Sequence, residues 1–214
     1  MLIIAACPLI APPEFFSMYP EKDVPWPLMY DKNERPRHPF IDAMRKCLCF
    51  DEPFDAPMVR RAIAAYFALT SFLDSNIGKI LATLEATGLD KTTRVLYSSD
   101  HGDNLGTRGL WGKSTMYEES AGVPMIMAGP GIAAGRRCKT PVSLVDVAPT
   151  ILDGVGEEPY AWADKPLPGR SLFEIAAKPY DAERIVFSEY HAAFCPTGAR
   201  NQSMNSSAAL GWGA

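Results

Sequence analysis

The chain has 214 residues, of which 21 are Lys or Arg and 25 are Asp or Glu, so its formal net charge at pH 7 is −4. Hydrophobic residues make up 47% of the sequence and charged residues 21%, a balance that excludes a disordered or collagen-like chain. The acidic excess predicts no nucleic-acid partner, because it leaves no basic surface for a phosphate backbone.

The cysteines and the apolar segments bear on the cellular compartment. Five cysteines at irregular spacing argue against a disulfide framework and favour a reducing environment. The apolar start, residues 1–7, lacks the basic region of a signal peptide, and no apolar run is long enough to span a bilayer. The sequence therefore predicts a cytoplasmic chain with no membrane partner.

The first half of the chain alternates between apolar and proline-rich segments. Residues 2–6 are predicted to form a short buried strand. Residues 8–39 contain many of the 19 prolines of the sequence and are predicted to form an irregular loop. From Pro57 to Thr87 the pattern becomes helical: apolar residues recur at steps of three and four between Ile63 and Leu84, which predicts an amphipathic helix that covers a sheet. Gly88 stands where a C-terminal cap is expected.

The second half continues the alternation of helices and apolar strands. Strands are predicted at residues 93–98, 123–128 and 184–188, with a turn at 129–131. Ser143 is predicted to cap a helix that contains Pro149, and a further helix is predicted at residues 171–177. The pattern predicts an α/β layered sheet with helices on both faces. Residues 1–196 are expected to form this domain, and residues 197–214 a disordered tail.

A polar, glycine-rich loop follows the strand at residues 93–98. It begins with Asp100, His101 and Gly102, and ligands bind beyond the carboxyl ends of strands in open α/β sheets. A carboxylate beside an imidazole is a plausible pair of metal ligands, although a cation requires further ligands from elsewhere. The alternative is that Asp100 and Asp103 form Asx turns and His101 caps the loop. Lys113 could bring a positive charge to an oxyanion, or be a solvated loop lysine.

A long, ordered set of motifs resembles the C-terminal half of a sulfatase, within the alkaline-phosphatase-like superfamily. The motifs are SDHGD at residues 99–103, GLWGKS at 109–114, YEES at 117–120, VPMI at 123–126, GPG at 129–131, VSLVDVAPT at 142–150 and SEYH at 188–191. The resemblance covers about residues 2–198. It implies an alkaline-phosphatase-like fold and the hydrolysis of small sulfate esters.

The resemblance also implies roles for particular residues. Asp100 and His101 match two ligands of a divalent cation, with calcium first and manganese or magnesium as alternatives. Lys113 matches a lysine that stabilises the sulfate group, so it is both a catalytic and a substrate-binding candidate. His191, after the last predicted strand, is a second candidate for substrate binding.

The sequence also departs from the family pattern. The family's nucleophile is a cysteine in a Cys-x-Pro-x-Arg motif, and neither this motif nor its serine form occurs here. The paired aspartates expected on the first strand are absent as well, and Leu9 stands where a histidine is typical. We therefore expect an N-terminally truncated sulfatase-like domain without its own nucleophile, which associates with a chain supplying the missing half.

Other interpretations remain open at this point. The chain could be a non-catalytic remnant that binds a metal or anion weakly, or a phosphoryl or phosphonate ester hydrolase on the same scaffold. Cys47 and Cys49 are interpreted as incidental rather than as a metal pair, and His38 as a solvated loop residue. Glu119 and its neighbours are expected to fix the loop, and Arg136 and Arg137 to lie in a solvated turn.

Overall fold

The computed structural model describes residues 9–47, 54–157 and 167–189. The predicted strand at residues 2–6, Cys49, His191 and the tail at 197–214 lie outside these ranges. The helices and strands, in chain order, are α1 (Pro13–Phe16), α2 (Pro39–Cys47), α3 (Ala56–Ala86), β1 (Val95–Ser98), α4 (Glu118–Ala121), β2 (Met125–Ala128), α5 (Val147–Gly154) and α6 (Leu172–Ala177). Short 3-10 helices occupy Leu89–Lys91, Thr107–Gly109 and Leu144–Asp146.

The described residues form two compact units. The first contains residues 9–47, 54–88 and 101–123, and the second contains residues 89–100, 124–157 and 167–189. Across both units, none of the helices so described combines the length and the apolar character needed to cross a bilayer.

Helix α3 confirms the predicted amphipathic helix, and its bounds agree with the predicted ones to within one residue at each end. Asp55 caps its N-terminus, where the side chain accepts a hydrogen bond of 2.8 Å from the backbone N–H of Met58. At the other end Gly88 adopts a left-handed conformation with a φ of 72°, as expected for a residue that follows a helix. The buried residues lie in the first half of the helix: Val59, Ile63, Ala64, Ala65, Ala68 and Leu69.

The proline-rich segment covers the buried face of α3 and forms the core of the first unit. Val24 and Tyr30 from this segment join Val59, Ile63 and Trp111 in one hydrophobic cluster. In and just after α1, aromatic rings of the segment pack on rings of α3: Phe15 on Phe72 with centroids 5.3 Å apart, and Tyr19 on Phe67 with centroids 5.6 Å apart. The predicted irregular loop is therefore an ordered cover, and α2 within the first unit is a helix that was not predicted.

In the second unit β1 and β2 form a two-stranded antiparallel sheet. Val95 pairs with Ala128, and Ser98 pairs with Met125. Both predicted strands are confirmed, each two residues shorter at its start than expected. In β2 this agrees with Pro124, whose ring nitrogen cannot donate to a ladder.

The helices of the second unit are joined by one buried carboxylate. Asp146 is fully buried, and its side chain accepts hydrogen bonds from the backbone N–H groups of Ser143 and Arg170, each at 2.9 Å. The guanidinium of Arg184 contacts both carboxylate oxygens, at 2.7 and 2.9 Å. Ser143 caps the 3-10 helix that leads into α5, and Ser171 caps α6, so both predicted helices are confirmed.

The strand predicted at residues 184–188 is wrong. These residues have no regular secondary structure, and Ile185 and Phe187 are more than 70% exposed. No strand among the described residues pairs with the segment. Instead the side chain of Arg184 holds it, through Asp146 and through the backbone carbonyl of Pro141. An apolar β-branched run predicts a strand only when a pairing edge is available.

Candidate active-site loop

Residues 101–117 form a loop that two apolar side chains anchor in the first unit. Leu110 is fully buried against Ile41 and Met44, and Trp111 is 8% exposed within the cluster on α3. The Trp111 ring also packs edge-on against Phe54, with centroids 5.5 Å apart. Because Gly112 and Lys113 follow directly, the burial of Leu110 and Trp111 holds the backbone just before Lys113 against the core.

Two glycines allow the loop to turn tightly. Gly112 has a φ of 73°, in the left-handed region that other residues avoid. Gly102 donates a backbone hydrogen bond of 2.8 Å to the carbonyl of Ser120, and a Cβ on Gly102 would collide with the backbone carbonyl of Glu119. The backbone of residue 102 therefore approaches α4 at a distance that only glycine permits.

The structure brings His101 and Lys113 together. The ammonium nitrogen Nζ of Lys113 lies 2.8 Å from Nε2 of His101, and Nδ1 of the same ring lies 2.8 Å from the carbonyl oxygen of Gly102. A carbonyl oxygen only accepts and an ammonium only donates, which assigns the proton to Nδ1 and leaves Nε2 as the acceptor. Lys113 is exposed, so its charge is offered to solvent from a fixed position.

Asp103 is the acidic member of this loop. Its Oδ1 accepts backbone hydrogen bonds from Leu105 at 2.8 Å and from Gly112 at 3.1 Å, so the alternative of an Asx turn is confirmed for this residue. Burial raises the pKa of the Asp103 carboxyl, and this effect exceeds the lowering by the two backbone donors and by the neighbouring Lys113 ammonium.

Buried polar side chains of the loop and of α4 hold the loop backbone in place. Asn104 is 1% exposed, and its amide donates to the carbonyl of Gly112 at 2.5 Å. Thr115 donates from Oγ1 to the amide oxygen of Asn104 at 3.0 Å, and the Ser120 hydroxyl donates to the carbonyl of Lys113. The sequence gives no signal for these residues, because each resembles an ordinary solvated loop residue and is buried only by the fold.

An ion pair closes the loop on α4. Both carboxylate oxygens of Glu119 accept from Nη1 of Arg108 at 2.9 Å, and the Arg108 guanidinium lies 4.1 Å from the centre of the Tyr117 ring. The contacts agree with the expected loop-fixing role of Glu119. Burial alone would raise the pKa of Glu119, but a backbone hydrogen bond and the contact with Arg108 hold it below its ordinary value.

The Glu119 contact predicts a pH-dependent stability. A carboxylate whose folded-state pKa is lowered stabilises the fold above its unfolded-state pKa and ceases to do so as the pH falls through the folded-state value. Glu119→Gln should therefore lower the urea midpoint at pH 7 by more than at an acidic pH below the folded-state pKa of Glu119, where wild type and variant converge. Glu118→Gln, at an exposed neighbour, is the control. A difference that is equal at both pH values would contradict the assignment.

The predicted metal pair forms only part of a site. Asp100 is exposed and belongs to the second unit, whereas His101 belongs to the first. Among residues 9–47, 54–157 and 167–189 no three His, Cys, Asp or Glu side chains come together as a cation would require. The Nε2 atom of His101 also already accepts from Lys113. The described residues do not by themselves fit a complete divalent site.

The other singled-out residues have local roles or none that the structure shows. His38 lies at the start of α2, where its Nδ1 accepts from the backbone N–H of Phe40 at 3.2 Å. Arg136 and Arg137 are exposed in irregular backbone, as expected, and the thiol of Cys138 is free and exposed.

Comparison with known proteins gives the loop a family context. A family model described as Sulfatase matches residues 11–157. Choline-sulfatase from Rhizobium meliloti (strain 1021) is 49% identical over 109 residues, which cover 50% of this chain and 21% of that protein. Arylsulfatase K from Homo sapiens is 35% identical over 150 residues, which cover 64% of this chain and 26% of that protein. The chain thus spans about a fifth to a quarter of the length of these curated relatives.

Solved structures give the same fold. Phosphonate monoester hydrolase SpPMH from Silicibacter pomeroyi superposes with a TM-score of 0.69 and 28% identity, covering 85% of this chain and 37% of that one. The structure of BT4656 in complex with its substrate D-glucosamine-2-N,6-O-disulfate superposes with a TM-score of 0.55 and 30% identity, covering 72% of this chain and 32% of that one. The predicted alkaline-phosphatase-like fold class is confirmed. With the family model matching most of its length, this chain belongs to the sulfatase family.

Proposed function

We propose that this chain takes part in the metal-dependent hydrolysis of sulfate esters and contributes the Lys113 side of the active site. The observation that carries the proposal is the 2.8 Å contact between Lys113 Nζ and His101 Nε2, in a loop that belongs to the matched family segment. The small sulfate ester is the proposed substrate class, and the choline-sulfatase and arylsulfatase K relatives support it.

The chemistry available to Lys113 is electrostatic. Hydrolysis breaks the ester S–O bond, gains the oxygen of water at sulfur, and releases an alcohol and sulfate. An ammonium has several N–H donors, so the bond to His101 leaves others free for the sulfuryl oxygens. A fixed positive charge stabilises the charge that develops on these oxygens and on the departing oxygen, and needs little reorganisation to do so.

The remaining parts of the site are proposed to come from other residues. The printed sequence holds no Cys-x-Pro-x-Arg motif, and association with a chain that supplies the nucleophile is proposed. Asp100 and His101 stay predicted as two ligands of a divalent cation, calcium first and manganese or magnesium as alternatives. His101 would ligate through Nε2 only after that atom gives up its contact with Lys113, and the further ligands would have the same origin as the nucleophile. Substrate binding by His191 and a cytoplasmic location stay predictions.

A second candidate function is phosphonate or phosphoryl ester hydrolysis. It is favoured by the superposition on the Silicibacter pomeroyi phosphonate monoester hydrolase, whose TM-score of 0.69 exceeds the 0.55 of the BT4656 structure. A lysine ammonium serves phosphoryl oxygens as well as sulfuryl oxygens. A third candidate is a non-catalytic remnant that binds an anion weakly through Lys113.

A complementation assay separates the three. The full chain is tested alone and mixed with a sulfatase segment that carries the Cys-x-Pro-x-Arg motif, against 4-nitrophenyl sulfate, 4-nitrophenyl phosphate and a 4-nitrophenyl phosphonate. The proposal predicts turnover of the sulfate ester only in the mixture, and a dependence on added calcium or manganese. Preferred turnover of the phosphonate would support the second candidate. Inactivity of every mixture would support the third.

A further inference from the structure

Both peptide groups that flank Lys113 are held by hydrogen bonds from buried residues. On the N-terminal side the carbonyl of Gly112 accepts twice from Asn104, at 2.8 Å from the backbone N–H and at 2.5 Å from the side-chain amide. On the C-terminal side the carbonyl of Lys113 accepts from the backbone N–H of Thr115 at 2.8 Å and from the hydroxyl of Ser120. The backbone of Lys113 is thus fixed although its side chain is exposed.

Asn104 connects the two sides. Its side-chain oxygen accepts from Oγ1 of Thr115 at 3.0 Å while its amide nitrogen donates to Gly112. The residue is 1% exposed, Ser120 is 2% exposed and Thr115 is 6% exposed, so water does not compete for these bonds. A buried network in which every member has its partners specifies one geometry.

We propose that Asn104 is a positioning residue, which sets the direction in which Lys113 presents its ammonium and thereby the contact between Nζ and His101 Nε2. The inference rests on the proposed function of Lys113, and it identifies Asn104 as the residue that orients Lys113 for that function. The position requires a donor towards Gly112 and an acceptor towards Thr115 on one short side chain. Asparagine supplies both, aspartate supplies two acceptors, and leucine supplies neither.

The His101 ring provides a signature of the contact. With Lys113 in place, the proton is on Nδ1 and Nε2 accepts, as the two contacts of 2.8 Å require. When the ammonium leaves, Nε2 loses this donor, and its ¹⁵N shift changes because the shift of an acceptor nitrogen depends on the hydrogen bond it receives. The ¹⁵N shifts of the ring nitrogens distinguish these cases at one fixed pH, without substrate and without catalysis.

The test is ¹⁵N NMR of the full chain with labelled histidine at one fixed pH. His101→Gln identifies the resonances of His101 among the three histidines, and Lys113→Met defines the pattern without the contact. Asn104→Asp and the isosteric Thr115→Val are the test variants. Thr150→Val is the matched control, because Thr150 is 2% exposed, belongs to the second unit, and its hydroxyl bonds to Asp146 and to the backbone N–H of Leu172.

We expect wild type and Thr150→Val to show the Nδ1–H pattern, and Asn104→Asp and Thr115→Val to move towards the Lys113→Met pattern. If Asn104→Asp does not fold, Thr115→Val alone decides. A folded Asn104→Asp or Thr115→Val that keeps the wild-type pattern would overturn the inference. An equal change in Thr150→Val would also overturn it, because the network would then act only through general stability. Absence of sulfate-ester turnover would count against the proposed function and leave this result as it stands.

Discussion

Asp146→Ala is expected to lower the free energy of unfolding by about 3 to 5 kcal/mol, because it leaves a buried guanidinium without its partner. The side chains of Asp146 and Arg184 are 1% and 11% exposed, and the carboxylate also accepts two backbone N–H groups. These three connections join the segment before α5, the segment before α6 and the segment after it. Their loss should release all three segments.

Urea unfolding measured by circular dichroism checks this expectation. Asp90→Ala is the matched control, since the ion pair of Asp90 with Lys91 is formed by side chains that are 37% and 80% exposed. Exposed pairs contribute about 0 to 1 kcal/mol. If Asp146→Ala costs no more than Asp90→Ala, the buried carboxylate does not hold the second unit together.

Trp111→Ala is expected to destabilise the first unit by about 3 to 5 kcal/mol, the usual cost of removing a large buried ring. The ring fills the space between α3 and Phe54 and is 8% exposed. Because Gly112 and Lys113 follow it in sequence, the substitution should also free the loop that carries the ammonium.

Thermal unfolding and hydrogen exchange of the loop amides measure both effects. Trp26→Ala is the control, because Trp26 is 38% exposed and its truncation removes less buried surface. A Trp111→Ala chain that is no less stable than Trp26→Ala, or that keeps full protection at Gly112, would show that the ring does not anchor the loop.

The sequence predicted α3, α5, α6, β1 and β2, whose signals are local, and it missed α1, α2 and α4. These signals act within one or two helical turns: the period of three and four residues in α3, Gly88 after its last turn, and the caps Ser143 and Ser171. Helix α2 was missed although Pro39 at its start and Arg45 and Lys46 at its end are typical of a helix. The segment at 184–188 failed as a strand because strand formation depends on a distant partner.

The chemical groups of the site could be predicted from the sequence, but the hydrogen bonds that position them could not. A carboxylate, an imidazole and a lysine after a strand indicate a charged ligand, and the motifs of the loop point to a sulfatase. The supporting bonds from Asn104 to residues 112 and 115, and from Ser120 to Lys113, join positions that no sequence period links. They depend on how the loop folds back on itself.

If Lys113 presents its ammonium to a sulfuryl group, inorganic sulfate should bind to the full chain at this side chain. The ¹³Cε resonance of each lysine is followed while inorganic sulfate is added, with Lys113→Met to assign the signal and Lys139→Met as an exposed control. We expect a saturable shift at Lys113 that is absent at Lys139. Equal, non-saturating shifts at every lysine, or none at Lys113, would contradict it.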